Sequence, residues 1–210
     1  SRNIHLGHLG LVKGEWNRHK LVGNELKGKT LGIIGLGKIG REVIKRALSY
    51  DMKILGHDPF VNQDMFDPEK IKIVDIDTLT TESDFITLHV PLIDSTRDLF
   101  NLDRLKMMKS SARIINVARG GIINEKDLYI ALNDKLILGA AIDVFEQEPY
   151  TGKLIEHDNC ILTSHMGSMT FECRARMEIE ATEEAIRFIT GKKLEREVPE
   201  EEYDVQRKGL

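Results

Sequence analysis

The sequence predicts an α/β protein built on a parallel, doubly wound sheet. Three observations carry that prediction. Short apolar or β-branched runs alternate with helix-period segments along most of the 210 residues. Parallel neighbours need crossover connections, and helices at this spacing supply them. The first such run ends in Gly35-Leu36-Gly37-Lys38-Ile39-Gly40, which opens the next helix, and the second ends on the acid Asp58.

The elements follow in order. Ile4, Leu9, Val12 and Trp16 lie at helix-compatible spacing, weakened by Gly7 and Gly10. Residues 17–29 read as a loop and 30–34 as a strand. Ile39, Val43 and Ala47 form one face of a helix over 38–49. A second strand over 52–57 stops before Pro59. Strands follow over 85–90, 113–117, 139–144 and 160–163. Helices are expected over 102–108 and 125–132, the latter with Asn124 as its N-cap. From 171 to 181 apolar and polar residues alternate at the strand period. The same run places Cys173, Met177, Ala181 and Ala185 four apart and is rich in Glu, Arg, Ala and Met. These are strong helix formers, so the spacing predicts one long helix over 170–190, with Gly191 near its C-cap. The tail 192–210 is charge-rich. Lys192, Lys193 and Arg196 are mixed with glutamates and read as a solvated tail.

Composition narrows the function classes. The apolar fraction is 41% and the charged fraction 30%, enough for a core without disulfides or metal. A net charge of −4 recruits neither nucleic acid nor an anionic membrane. Cys160 and Cys173 have neither metal nor redox spacing. His5 and His8 stand three apart without a third ligand nearby, so no metal is expected. No apolar run approaches the roughly 18 residues of a membrane span, and no signal peptide opens the sequence. A cytoplasmic protein is the expectation.

The glycine turn has a specific physical reading. Gly35 permits the tight turn, Gly37 lets backbone amides approach a pyrophosphate, and Gly40 lets helix and strand pack closely. The helix N-terminus offers free N–H groups and partial positive charge to phosphate. Asp58 follows Gly40 by 18 positions, the expected place for a carboxylate that accepts from both ribose hydroxyls and repels a 2′-phosphate. The predicted cofactor is NAD rather than NADP. A methyltransferase also uses a glycine-rich turn and an acidic ribose partner, so the rest of the chain must decide.

Five motifs in order make that decision. They are the glycine turn, Leu88-His89-Val90-Pro91-Leu92, the stretch from Asn116 through Arg119-Gly120-Gly121 to Glu125, Asp143-Val144-Phe145-Glu146-Gln147-Glu148-Pro149, and Ser164-His165-Met166-Gly167. Together, over about residues 10–190, the sequence resembles the D-isomer-specific 2-hydroxyacid dehydrogenases, which include phosphoglycerate, glycerate and D-lactate dehydrogenases. The resemblance implies a Rossmann cofactor domain of a two-domain enzyme. It also implies hydride transfer between nicotinamide and C2 of a D-2-hydroxy or 2-oxo acid. By position, Arg119 matches the residue that holds substrate carboxylate and carbonyl. His165 matches the general acid/base, and Glu148 the carboxylate that hydrogen-bonds it.

The residue types suit that chemistry. Hydride transfer to a carbonyl builds charge on oxygen, which needs a cation and a proton donor in place. Imidazole gives and takes a proton near neutrality, and a neighbouring carboxylate fixes its tautomer. Arginine grips a carboxylate with two parallel hydrogen bonds.

The same matching puts Lys38 and Ile39 at the pyrophosphate and Val90 and Pro91 beside adenosine. It places Val117 and Ala118 before the arginine, Asp143 near the carboxamide, and Gly167 and Ser168 at that end of the cofactor. Residues 164–170 depart from the family's Pro-His-Ile/Leu-Gly-Ala pattern, leaving the histidine intact. Glu146 is expected to face solvent.

Other functions share part of this pattern. Formate dehydrogenase uses glutamine where Glu148 stands. An NADH-responsive corepressor would keep the same residues without turnover. A methyltransferase gives the arginine, glutamate and histidine no role. The resemblance further implies a cofactor domain over 1–190 with a charged tail over 191–210, and a homodimer formed through this domain. Trp16 is either an interface anchor or a core residue. In the family, part of the substrate domain precedes the first helix, so the sequence is expected to be a truncation that binds NAD(H) but turns over poorly alone.

Overall fold

The computed structural model describes residues 1–195 and 197. Its contacts divide it into two units, Ser1–His165 and a second beginning at Met166. The first unit carries a seven-stranded sheet. In chain order its strands are β1 (Thr30–Ile34), β2 (Lys53–His57), β3 (Ile71–Ile73), β4 (Phe85–Leu88), β5 (Arg113–Asn116), β6 (Gly139–Ile142) and β7 (Cys160–Leu162). Every pairing is parallel, and the spatial order is β3-β2-β1-β4-β5-β6-β7. The order reverses between β1 and β4. In a doubly wound sheet, that is where a crevice opens beyond the strands' carboxyl ends.

Both faces of the sheet are buried, which explains why its strands read as apolar runs. In β1, Leu31 and Ile33 face one core while Ile34 faces the other. Helix α2 (Lys38–Leu48) covers the first core through Ile44 and Ala47. Helices α3 (Ile76–Glu82), α4 (Leu102–Met107) and α5 (Glu125–Asn133) cover the second through Leu79, Leu105 and Leu128. Helix α1 (Ile4–Val12) forms despite its glycines and ends before Gly14, where φ is +79°.

Most predicted strands and helices lie within two residues of their expected ends. Asn124 caps α5 as expected, accepting from Asp127 N–H. The sequence reading missed β3 and α3. Strand β3 has three residues at a sheet edge, too few to show a period. Helix α3 contains three threonines in seven residues, poor helix formers in isolation. It is held by the Asp75 cap on Thr78 N–H and by the fully buried Leu79. Trp16 is 80% exposed, which removes it from the core.

In the second unit, α6 (Phe171–Ile189) is the long helix predicted over the alternating run. Thr170 caps it by accepting from Cys173 N–H, and Gly191 follows at φ +67°. The tail expectations at residue 196 and over 198–210 lie outside the described residues. Among the described residues, no helix is long and apolar enough to cross a membrane and no acid, histidine or cysteine cluster could hold a metal.

Candidate active site

At the crevice end, the glycine turn is built by close approach. Gly35 has φ +94°, and a Cβ on it would strike the His89 carbonyl. A Cβ on Gly40 would strike the Gly35 carbonyl, so α2 starts in direct contact with the end of β1. Gly37 is different, because a Cβ there would meet nothing within 4 Å. The turn is packed behind and open in front.

Helices α3 to α6 are each capped by a side chain, from Asp75, Asn101, Asn124 and Thr170. Helix α2 has no side-chain cap and no acid in its first turn. Its leading N–H groups, at Lys38 and Ile39, could donate to an anion. Asp58 stands at the end of β2. Its Oδ2 accepts from Leu36 N–H at 2.8 Å and its Oδ1 from Phe60 N–H at 2.9 Å. Two acceptor positions remain on the carboxylate. These features fit a dinucleotide, with phosphate against the open face of Gly37 and ribose at Asp58. Val90 is half-buried against the core and Pro91 is exposed, on the loop after β4. His89 lies between them and the sheet. Burial pushes its pKa down, which favours the neutral imidazole, and its Nε2 lies 3.0 Å from Thr87 Oγ1.

At the ends of β5, β6 and β7 a second set of residues lines one cavity of about 520 Å³. Arg119, Glu148 and His165 all border it. His165 Nδ1 lies 2.9 Å from Glu148 Oε2. An ionised carboxylate only accepts, so Nδ1 carries the hydrogen and Nε2 is the ring's other nitrogen, outside that bond. The His165 hydrogen bond is the main cause holding the Glu148 carboxyl below its ordinary value. The Glu148 Oε1 accepts from Phe145 N–H at 3.1 Å, which fixes the acid in its loop. His165 itself has φ +51°, a left-handed conformation that is rare outside glycine. Its N–H donates to Asp143 O at 2.8 Å, holding that conformation.

Residues 1–167 match the family described as D-isomer specific 2-hydroxyacid dehydrogenase, NAD binding domain. The chain belongs to that family. It is 42% identical over 193 residues to a D-3-phosphoglycerate dehydrogenase of Methanocaldococcus jannaschii, covering 91% of this chain and 37% of that protein. A hydroxypyruvate reductase of Thermotoga maritima is 43% identical over 196 residues, covering 90% and 62%. The crystal structure of a glyoxylate reductase from Paecilomyes thermophila superposes with a TM-score of 0.87 at 33% identity, over 95% of this chain and 61% of that one. The chain thus spans less than two thirds of these relatives' length.

Several residues that organise this site escaped the sequence reading. Asn116 is buried at the end of β5. Its Oδ1 accepts from Ala118 N–H at 3.1 Å and its Nδ2 donates to Arg119 O at 2.8 Å, clasping the Val117–Ala118–Arg119 loop. A Cβ on Gly120 would strike the Phe145 backbone, so the arginine loop and the glutamate loop touch there. Glu125 Oε1 accepts from Glu146 N–H at 2.8 Å. Burial, then the charge of Glu146, pushes the Glu125 carboxyl up. Glu146 is exposed, as expected. Asp143 is buried and bonded to Thr163 Oγ1, a link between β6 and the end of β7. The signal for Asn116 was present: a polar residue ending a strand of apolar residues needs a partner. Gly167 and Ser168 belong to the second unit, in the segment before α6. Cys160 is a free thiol pushed up to about 12 by burial, which makes it inert as a nucleophile.

Proposed function

We propose that the protein is an NAD-dependent dehydrogenase acting on a D-2-hydroxy acid and its 2-oxo acid, and that Arg119, His165 and Glu148 perform its chemistry. The single observation that carries this reading is the bond between His165 Nδ1 and Glu148 Oε2 at 2.9 Å, on the cavity that Arg119 also lines. When bound, NAD(H) supplies or accepts the hydride. Gly35, Gly37, Lys38, Ile39 and Gly40 would hold its pyrophosphate and Asp58 its ribose. Val90 and Pro91 would border the adenosine, and Val117, Ala118, Asp143, Gly167 and Ser168 the nicotinamide end.

Within that arrangement each side chain has one task. Arg119 orients the substrate carboxylate and stabilises charge on the reacting oxygen. His165 Nε2 gives a proton to that oxygen in reduction and takes it in oxidation. Glu148 keeps the proton on Nδ1 and favours the imidazolium form. In the oligomer we propose, a homodimer, the partner is a second copy of this domain.

The test is NADH oxidation by the full-length protein with a panel of 2-oxo acids. At least one acid should turn over. His165→Ala should lower that rate by about 10²–10⁴-fold, with NADH affinity almost unchanged. Turnover that survives His165→Ala nearly intact would assign the proton to another group. Tight NADH binding with no turnover of any acid would favour a nucleotide sensor.

A further inference from the structure

The catalytic cavity carries a second cation that the mechanism above leaves unused. Arg97 lines it together with Arg119. Its turn, after β4, is fixed from several sides. Arg97 N–H donates to Ile93 O at 2.9 Å, and the next amide, Asp98 N–H, donates to Gly121 O at 2.8 Å. Thr96 Oγ1 accepts from Ile93 N–H and donates to Pro91 O. The turn bearing Arg97 is therefore tied to the glycine pair that follows Arg119. Gly121 has φ +79°, and a Cβ there would come within 3.5 Å of Arg97 Nη1. The two arginines are presented by backbone that is hydrogen-bonded together.

The Arg97 guanidinium holds no carboxylate among the described residues. Arg46, Arg104, Arg174 and Arg187 each do. The adjacent Asp98 is engaged elsewhere, accepting from Asn124 Nδ2 at 3.2 Å. Of the cavity's two acids, Glu148 is committed to His165, and Glu146 is exposed and paired with neither arginine. A substrate with one anionic group occupies only one arginine. A planar guanidinium is shaped to bind a second carboxylate or a phosphate with two parallel hydrogen bonds.

Resting on the reading of Arg119 above, we propose that Arg97 is a specificity-determining residue. It binds a second anionic group carried beyond C2, so that the preferred substrate is a 2-hydroxy acid bearing a further carboxylate or a phosphate.

The experiment uses two pairs of D-2-hydroxy acids that differ by that group: 3-phosphoglycerate against glycerate, and malate against 2-hydroxybutyrate. In the full-length protein, Arg97→Gln should lower kcat/KM for the member of each pair that carries the second anionic group by about tenfold or more, the scale of a lost charge-assisted hydrogen bond. The other member should change by less than about twofold. Arg97→Lys should recover part of the loss. Calorimetric titration of the same acids into the NADH-loaded protein reads the same discrimination as a Kd, with or without turnover. Selective weakening of the acids with a second anionic group, without any turnover, would sink the proposed reaction and keep the role of Arg97. Equal effects on both members of a pair, or none, would overturn the inference, as would an unmodified protein that binds the members with a single anionic group more tightly.

Discussion

The two ends of the crevice are built by opposite means. The end beside β1 and β2 is made of backbone: a positive φ at Gly35, the bare Cα of Gly40 against the Gly35 carbonyl, and a helix left uncapped. Asp58, the acid at this end, is itself held by backbone amides. The end beside β5, β6 and β7 is made of side chains that bridge separate loops. Asn116 clasps the arginine loop, Glu125 holds the glutamate loop, and Glu148 reaches His165. A backbone site tolerates almost any side-chain change except one that adds bulk. A side-chain site should fail by small, separable steps.

The largest expected effect lies at the backbone end. In Gly40→Val the new side chain meets the Gly35 carbonyl, which is main chain and cannot rotate aside. Overpacking of this kind costs about 1–3 kcal/mol, and relief requires α2 to move off β1. NADH affinity should fall by about a hundredfold or more, because the helix N–H groups move with it. Fluorescence titration of NADH measures this. Affinity within a factor of about three of the unmodified protein would show that the turn is not the phosphate cradle.

Asp58→Ala probes the acidic side chain at that end. Its loss removes acceptors for the ribose and frees Leu36 N–H. NAD affinity should drop by about tenfold to a hundredfold, and discrimination against NADP should relax. Equal binding of the two cofactors by the unmodified protein would remove the ribose assignment.

Gly40 was legible in the sequence because its partner Gly35 is close along the chain, and Asp58 because it ends the second strand at the expected spacing from the glycine turn. Gly35 to Gly40 is one turn, and the strand before it and the helix after it have clear periods. The residues proposed for catalysis were legible only as motifs. Nothing in the local pattern around Glu148 or His165 says that a chain segment 17 residues away supplies the partner. The clasp of Asn116 on its own loop is local but has no periodic signature. Gly120 likewise gave no sign of its contact with Phe145, which needs the neighbouring strand order to be known. Strand β3 and helix α3 were missed for a related reason, since tertiary burial and one cap hold what propensity alone does not.

Asn116→Ala takes the comparison to the side-chain end. It leaves Ala118 N–H and Arg119 O without the partners they now have. Each unpaired group costs about 1–3 kcal/mol to the extent that water cannot reach it. The thermal midpoint should fall by roughly 2–4 °C per kcal/mol for a chain of this size. NADH affinity should be nearly retained while KM for the oxo acid rises, because the loop that carries Arg119 loosens. A parallel loss of NADH affinity would mean that the two ends are not independent.

Glu148→Gln should be the smallest change, since glutamine keeps the shape and still accepts from His165 Nδ1–H. What it loses is charge. Without the carboxylate the imidazolium is less favoured, so the pH above which 2-oxo acid reduction declines should move down. An unchanged pH profile would separate Glu148 from the proton transfer. Stability gives a second reading with a defined sign. The Glu148 carboxyl titrates below its ordinary value of 4.5 when folded. Its contribution is therefore complete above that pH and is lost as pH falls through the folded value. The difference in thermal midpoint between Glu148→Gln and the unmodified protein should be steady near neutrality and shrink below about pH 4.5. It should also be modest, because the acid is 40% exposed and water screens the pair. A difference that grew on acidification would mean that the carboxylate is stabilised by the unfolded chain more than by His165.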